Sequence, residues 1–335
     1  MKVGIMGAGA IGCYLGGRLQ HSGVPVVLVG RQSLADEVAQ HGMHLTDYRG
    51  FDQTLRLEVA TAPTALADCD VVLVTVKGGD TASAGAALAG VLRRDALVVS
   101  FQNGVNNPEL LRAALPQQRV LAGMVPFNVL RRAGAHFHQG TSGRLAVERV
   151  EAVMPLVRAL SHAGLEIEAH DDMRGVLWGK LLVNLNNPVN ALANIPIKEM
   201  LSQRDYRRVM AACVREGLDA VSAAGIQPRL DVPLPPRLVP WVLTLPDAVF
   251  SLVARPMLTV DPQARSSMWD DLARGRKTEI DALNGEVVRL AEKVGTRATV
   301  NAAIVALVKE AEGRGSPGLG AAALREKLGV YSGFR

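Results

Sequence analysis

Aromatic side chains are scarce in this sequence: three Trp, four Tyr and six Phe amount to 4% of 335 residues. A nucleic-acid reader needs rings or a continuous basic face, and here the basic residues fall in scattered pairs such as Arg93–Arg94, Arg131–Arg132 and Arg207–Arg208. A nucleic-acid partner is therefore not expected, although the formal charge of +5 gives a mild field that favours anionic ligands. Cysteine is also scarce. Cys13, Cys69 and Cys213 are odd in number, far apart and without a CxxC, which excludes a disulfide framework, argues against a zinc site and fits a reducing cytoplasm. Long apolar runs are missing too. The nearest, LVPWVLTLPDAVFSLVA at 238–254, contains Pro240, Pro246 and Asp247 and at about 17 residues is short for a bilayer, so no membrane partner is expected. The opening MKVGIMGAGAIGCYL has a signal-like apolar content, yet four glycines interrupt it and no cleavage site follows, so it reads as folded structure.

What is present is the composition of a globular chain, 48% hydrophobic and 21% charged, longer than one core usually supports. Up to about residue 170, the β-rich runs KVGIM, PVVLV, DVVLVTV, ALVVSF and RVLAGMV alternate with helical patterns around 10–22, 33–42, 80–92 and 106–114. That alternation predicts a parallel sheet with crossover helices. The more polar segments near 43–59 and 134–149 predict hairpins added to this sheet. From Asp171 in HDDMRG, a candidate N-cap, strands give way to long helical periods. In TEIDALNGEVVRLAEKV, the residues Ile280, Leu283, Val287, Leu290 and Val294 predict one apolar stripe on one helix. The expected organisation is a Rossmann-type, doubly wound, mainly parallel domain over 1–170 and an all-α domain over 171–335. The tail GRGSPGLGAAALREKLGVYSGFR predicts a short helix and a loose end. The helical half is compatible with a homodimer, but amphipathic helices also simply cover one another.

Gly7-Ala8-Gly9-Ala10-Ile11-Gly12 is a GxGxxG directly after a strand and opening a helix. Its glycines suit a tight turn, close backbone approach to a pyrophosphate and helix–strand packing, with the helix N-terminus facing the anion. The second strand ends in Gly30-Arg31, where an NAD site would carry a carboxylate. Arg31 instead suits the 2′-phosphate of NADP(H), its plainer alternative being a solvated loop residue. Lys77 after VVLVTV and Asn103 after ALVVSF should emerge at the ligand-binding carboxyl edge. Lys77 could equally terminate an exposed strand, and Asn103 in QNG could be turn chemistry.

The stretch LWGKLLVNLNNP at 177–188 places Lys180, Asn184, Asn186 and Asn187 in an apolar helical context. A buried cation or amide without a partner costs several kcal/mol, so these groups face either water or a ligand. Burial among Trp178, Leu181 and Leu182 would lower the Lys180 pKa toward the range of a general acid for ketone reduction. Asn184, one turn on, could hold a substrate oxygen. Snorkelling to solvent is the alternative for Lys180.

Taken together, GAGAIG, Arg31, VTVK ending at Lys77, QNG at 102–104, WGKLLVN at 178–184 and SSMWDDLARGRKTEIDALNG at 266–285 resemble the ketopantoate reductase family, in order and over nearly the whole chain. The resemblance implies a Rossmann-type domain, then a helical domain like the C-terminal one of 6-phosphogluconate dehydrogenase. It implies NADPH-dependent reduction of 2-dehydropantoate, a small 2-keto acid, to pantoate on the route to vitamin B5. By position, Lys180 corresponds to the general acid and Glu279 in KTEID to the carboxylate near lysine and cofactor, although alone it would read as a first-turn helix charge. Asn184 and Ser267 correspond to substrate-binding positions, the serine for the carboxylate, and Asn103 to the asparagine between nicotinamide and substrate. One departure is Pro188, which stands where the family often has a second asparagine; Asn187 or Asn190 substitutes for it if the helix kinks before the proline. Pro188 and the insert-like region 230–262 keep a related 2-keto acid or 3-hydroxy acid dehydrogenase in view, and a non-catalytic NADP(H)-binding sensor is a third reading.

Overall fold

The runs VGIM, VVLV and LVVS have no polar alternation, and strands of that kind are stable only when covered on both faces. The computed structural model describes residues 1–230, 234–254 and 263–330 and divides into two units, Met1–Met173 and Arg174–Arg335. The first unit contains strands β1 (Val3–Met6), β2 (Val26–Val29), β3 (Met43–Asp47), β4 (Asp52–Leu55), β5 (Val59–Ala60) and β6 (Val71–Val74). They are followed by β7 (Leu97–Ser100), β8 (Arg119–Met124), β9 (Val129–Arg132), β10 (His136–Gln139), β11 (Leu145–Glu148) and β12 (Ile167–His170). Its helices are α1 (Ala10–His21), α2 (Gln32–His41), α3 (Thr81–Leu88), α4 (Asn107–Ala114) and α5 (Met154–His162).

The main sheet has eight strands in the order β12-β11-β8-β7-β6-β1-β2-β5, parallel throughout except between β8 and β11. Successive residues of β6 alternate between two cores: Val71 and Leu73 join one face, Val72 and Val74 the other. From β1 the chain runs outward to β2 on one side and later to β6 on the other, so a topological switch point lies at the carboxyl end of β1.

The segments 43–59 and 134–149 do not extend this sheet as hairpins. β3 pairs with β4 and β9 with β10, and the two hairpins join through a parallel β3–β10 contact into a separate four-stranded sheet. Only β5 and β11 reach the main sheet. The reason lies in α1, which is buried on all sides from Gly12 to Leu19. A Cβ on Gly16 would lie 3.0 Å from Ile5 of the main sheet, and one on Gly17 would lie 2.5 Å from Leu45 of the small sheet. The helix is thus thin on both sides, and the polar hairpins close over it as their own layer.

The second unit is helical: α6 (Met173–Asn184), which begins at the last residue of the first unit, α7 (Asn187–Ala193), α8 (Ile197–Ser202), α9 (Arg204–Ala223), α10 (Val239–Leu243), α11 (Asp247–Val253), α12 (Ser267–Ala273), α13 (Asn284–Val294), α14 (Thr299–Ala311) and α15 (Ala321–Lys327). Around the long α9 pack α10, α13, α14 and α15. Arg207 of α9 is fully buried, which its partners explain: the guanidinium donates to the Leu245 carbonyl at 2.8 Å and to Asp247 at 2.7 Å, and lies 4.1 Å from the Phe250 ring.

Three local expectations are corrected. Asp171 is not the N-cap, since α6 starts at Met173; it pairs instead with Arg149 at 3.1 Å. The stripe from Ile280 to Val294 is split between a 3₁₀ turn at Ile280–Ala282 and α13, with Leu283 breaking the helix at φ −110°, ψ −94°. Ties from α13 and α14 hold that turn: Arg289 donates to the Asp281 carbonyl at 2.7 Å and Lys309 pairs with the Asp281 carboxylate at 2.8 Å. Segment 238–254 is two short helices separated at Pro246, and no helix among the described residues is long and apolar enough to cross a membrane. Within the insert-like region 230–262, residues 231–233 and 255–262 lie outside the described residues, as do 331–335 of the tail.

Candidate functional site

The glycine-rich loop leaves β1 at the switch point. Gly7 adopts φ +100°, a left-handed region open to glycine, and a Cβ there would lie 2.7 Å from the Val76 nitrogen. Its carbonyl accepts the Thr75 hydroxyl at 2.7 Å, and the Gly7 and Ala8 amides donate to the Val29 carbonyl at 3.1 and 2.8 Å. A Cβ on Gly12 would lie 2.5 Å from both the Gly7 carbonyl and the Thr75 hydroxyl. Gly9 is different. It caps α1 without a side-chain bond, and among the described residues a Cβ on it would find no neighbour nearer than 4.0 Å. The chain's own packing therefore demands glycine at 7 and 12 but not at 9, where the missing side chain leaves room for an outside group. With Ala10 and Ile11 in the uncapped first turn, the loop fits the phosphates of a dinucleotide.

Arg31 follows at the end of β2 as the exposed N-cap of α2, and among the described residues its guanidinium has no hydrogen bond or ion pair. Gly30 has a purpose that the bare sequence concealed: a Cβ there would lie 2.8 Å from the Cβ of Ala8, so glycine lets the β2 exit run against the glycine loop. Lys77 is exposed and opens the 3₁₀ turn Gly78–Asp80 after β6, while Asn103 is half-buried after β7. Because β6 and β7 are paired neighbours, with Val74 opposite Ser100, these two loops lie side by side on the carboxyl edge that also carries Gly7–Gly12 and Arg31.

In the second unit, Lys180 lies in the third turn of α6. Two close approaches set this helix. Leu182 packs where a Cβ on Gly217 of α9 would lie 2.5 Å from it. On another side the backbone of Arg229 crosses the helix, donating to the Gly175 carbonyl at 2.9 Å, and a Cβ on Gly179 would collide with the Arg229 carbonyl. Replacing Gly179 by alanine should therefore cost about 3 kcal/mol or more, since only backbone movement relieves the clash. A thermal unfolding midpoint equal to that of the wild type would show that the crossing segment yields freely.

Lys180 keeps some contact with solvent, yet burial lowers its pKa to about 8, opposed by the charge of Glu279. Glu279 precedes the 3₁₀ turn and is half-exposed, and its loop is fixed by Glu312, which accepts the Thr278 amide and hydroxyl, both at 2.8 Å. Asn184 ends α6, half-exposed. The helix does break before Pro188, and α7 restarts at Asn187 with the proline in its first turn. Asn190 is not a ligand amide, which corrects its role as a substitute for the missing asparagine. It is fully buried, donates to the Ile195 carbonyl at 2.7 Å and accepts the Ser266 amide at 2.9 Å. Ser266 in turn donates to the Asn187 carbonyl at 3.2 Å and caps α12 by accepting the Trp269 amide at 3.1 Å. Ser267, exposed at the start of α12, is thereby fastened beside Asn187.

Lys180 and Glu279 are thus brought within electrostatic reach of each other, and Ser267 sits next to Asn187. Asn190, Glu312, Gly30 and Gly179 support the site through contacts between segments far apart in the sequence, which motif spacing does not carry. Among the described residues, no cluster of three or more His, Cys, Asp or Glu could hold a metal ion.

Residues 3–152 match the family described as ketopantoate reductase PanE/ApbA, and residues 172–312 match its C-terminal domain. The chain is 31% identical over 298 residues to a 2-dehydropantoate 2-reductase of Halobacterium salinarum, a match spanning 87% of this chain and 92% of that protein. Its fold matches the crystal structure of a PanE/ApbA family ketopantoate reductase from Ralstonia eutropha JMP134, with a TM-score of 0.81, 33% identity and coverage of 94% of this chain and 99% of that one. The structure of D-mandelate dehydrogenase with NADH and anilino(oxo)acetate shares the fold at a TM-score of 0.79 and 20% identity, covering 93% and 98% of the two chains. The glycine loop at the switch point, the lowered lysine with its carboxylate neighbour and these matches across both units lead to one conclusion: the chain belongs to the ketopantoate reductase family.

Proposed function

We propose that this protein reduces 2-dehydropantoate to pantoate with NADPH, as a step toward vitamin B5. The observation that carries the reading is Lys180, an ammonium whose pKa lies at about 8 with Glu279 acting on it; the choice of substrate is supported by relatives named 2-dehydropantoate 2-reductase. Residues 1–170 bind the cofactor and 171–335 bind the substrate and supply the acid. Gly7, Ala8, Gly9, Ala10, Ile11 and Gly12 hold the pyrophosphate, Arg31 the 2′-phosphate, and Lys77 and Asn103 the remainder toward the nicotinamide. When bound, the cofactor supplies a hydride from C4 of the nicotinamide. The chain's own work is to place the keto acid and protonate its oxygen. Ser267 receives the carboxylate, while Asn184 and Asn187 bind the other oxygens. Lys180 Nζ polarises the ketone and gives up its proton to the developing alkoxide. Glu279 offsets part of the desolvation that makes the lysine acidic enough to do so. NADPH oxidation by purified protein in the presence of ketopantoate tests the assignment directly.

A second reading keeps the chemistry and changes the acid. It is favoured by Pro188 and by the internal use of Asn190, which leave Asn187 alone to stand in for the missing asparagine. A panel of 2-keto acids separates the two: negligible turnover of ketopantoate beside rapid turnover of another acid, an aryl 2-keto acid included, selects the second. Cofactor choice has its own test. Arg31→Ala should weaken NADPH by about 1.5–3 kcal/mol, the worth of a hydrogen bond to a charged group, and leave NADH nearly unchanged. Equal losses for both cofactors would show that Arg31 does not read the 2′-phosphate.

A further inference from the structure

Beneath the loops carrying Lys77 and Asn103 runs a chain of buried polar side chains to which no role has been given. Ser100, Gln102, Thr81 and Asn107 are 1%, 6%, 0% and 4% exposed. Ser100 donates to Gln102 Oε1 at 2.9 Å. The two hydrogens of Gln102 Nε2 go to the Val76 carbonyl at 3.0 Å and the Thr81 hydroxyl at 2.7 Å. Thr81 passes its own hydrogen to Asn107 Oδ1 at 2.8 Å, and Asn107 Nδ2 donates to the Asn103 carbonyl at 2.6 Å. Each side chain has one orientation only, because both ends are carbonyls and need donors. A fold that merely packed α3 on α4 would have apolar groups here, as it has where Gly85 lies against Ala114. The polar chain ends instead at Val76, the residue before Lys77, and at Asn103 itself.

We infer that Gln102, Thr81 and Asn107 are positioning residues that lock the Lys77 loop and the Asn103 loop to one another. The inference rests on the reading of Lys77 and Asn103 as ligand-binding groups. A fully satisfied buried network stiffens what it joins, and a displacement of about 1 Å at a reacting centre costs up to about 10²-fold in rate.

The test compares Thr81→Val, which removes the hydroxyl at constant shape, with Thr81→Ser, which keeps it, and with Asn107→Asp, which keeps the acceptor for Thr81 but loses the donor to Asn103. Leu88→Ala, a buried change in the same layer outside the chain of bonds, serves as the stability control. With 2-keto acid and NADPH, Thr81→Val and Asn107→Asp should lower kcat by about tenfold. Thr81→Ser should restore it to within about twofold, and Leu88→Ala should leave kcat unchanged at temperatures where every variant is folded. A Thr81→Val kcat equal to that of the wild type, or a loss matched by Leu88→Ala, overturns the inference. Lys180→Ala in the same assay separates it from the functional reading, which fails if that change leaves turnover intact. If the wild type turns over no keto acid, NADPH binding followed by nicotinamide fluorescence decides: Thr81→Val should bind severalfold more weakly than Leu88→Ala, and equal affinity overturns the inference.

Discussion

Lys180→Ala is expected to lower turnover of the keto acid by about 10²–10⁴-fold, the usual contribution of a positioned general acid, while NADPH affinity stays near that of the wild type. The acid form does the work in reduction. With a pKa of about 8 in the free protein, kcat/KM for reduction should fall as pH rises through that value. For oxidation of the hydroxy acid the base form is needed, and the same limb should rise. Lys180→Arg keeps the cation without the titration, so its residual rate should show no limb there. The shift also has a sign for stability. A lysine whose folded pKa lies below its ordinary 10.5 binds its proton less tightly when folded, so the charged form burdens the native state below about 8, and the burden lifts as pH rises from there toward 10.5. At neutral pH the alanine variant should then be far slower yet at least as stable as the wild type. Turnover that survives the change would strip Lys180 of its role.

Legibility followed the physical range of each signal. The strands of the parallel sheet could be read because burial on both faces makes them continuous apolar runs, and the glycine loop because its steric demands fall within six residues. Lys180 stood out since a cation in an apolar helix needs a reason, and its pKa is lowered by the burial that its apolar neighbours implied. The layer made by β3, β4, β9 and β10 was not readable: a hairpin that joins a sheet and one that leaves it have the same alternation, and the deciding feature is the thinness of α1 at Gly16 and Gly17. The break at Leu283 was hidden for a similar reason, as its apolar spacing survives a helix interruption. Asn190 was misread because buried tie and ligand amide look alike until the Ile195 carbonyl and the Ser266 amide are seen on either side of it.

Gly12→Ala should reduce NADPH affinity because its methyl would wedge between the Gly7 carbonyl and the Thr75 hydroxyl, both 2.5 Å from the added Cβ. Neither escape is free. Moving α1 outward is opposed by the small sheet packed on its far side at Gly17, and rotating the Gly7 peptide is opposed by Val76. Overpacking of this kind costs about 1–3 kcal/mol, and at about 1.4 kcal/mol per decade the affinity falls by about 5- to 140-fold if the strain is released through the loop. All three tryptophans, Trp178, Trp241 and Trp269, belong to the second unit, so an unchanged tryptophan emission would locate the damage in the first. Gly9→Ala sharpens the test. Its Cβ comes no nearer than 4.0 Å to any described residue, so the thermal midpoint should not change, whereas a pyrophosphate approaching the loop would collide with it. Loss of NADPH binding at wild-type stability is the expected result for Gly9→Ala; wild-type binding would mean that no phosphate comes close to that backbone, and the cofactor would have to be held elsewhere.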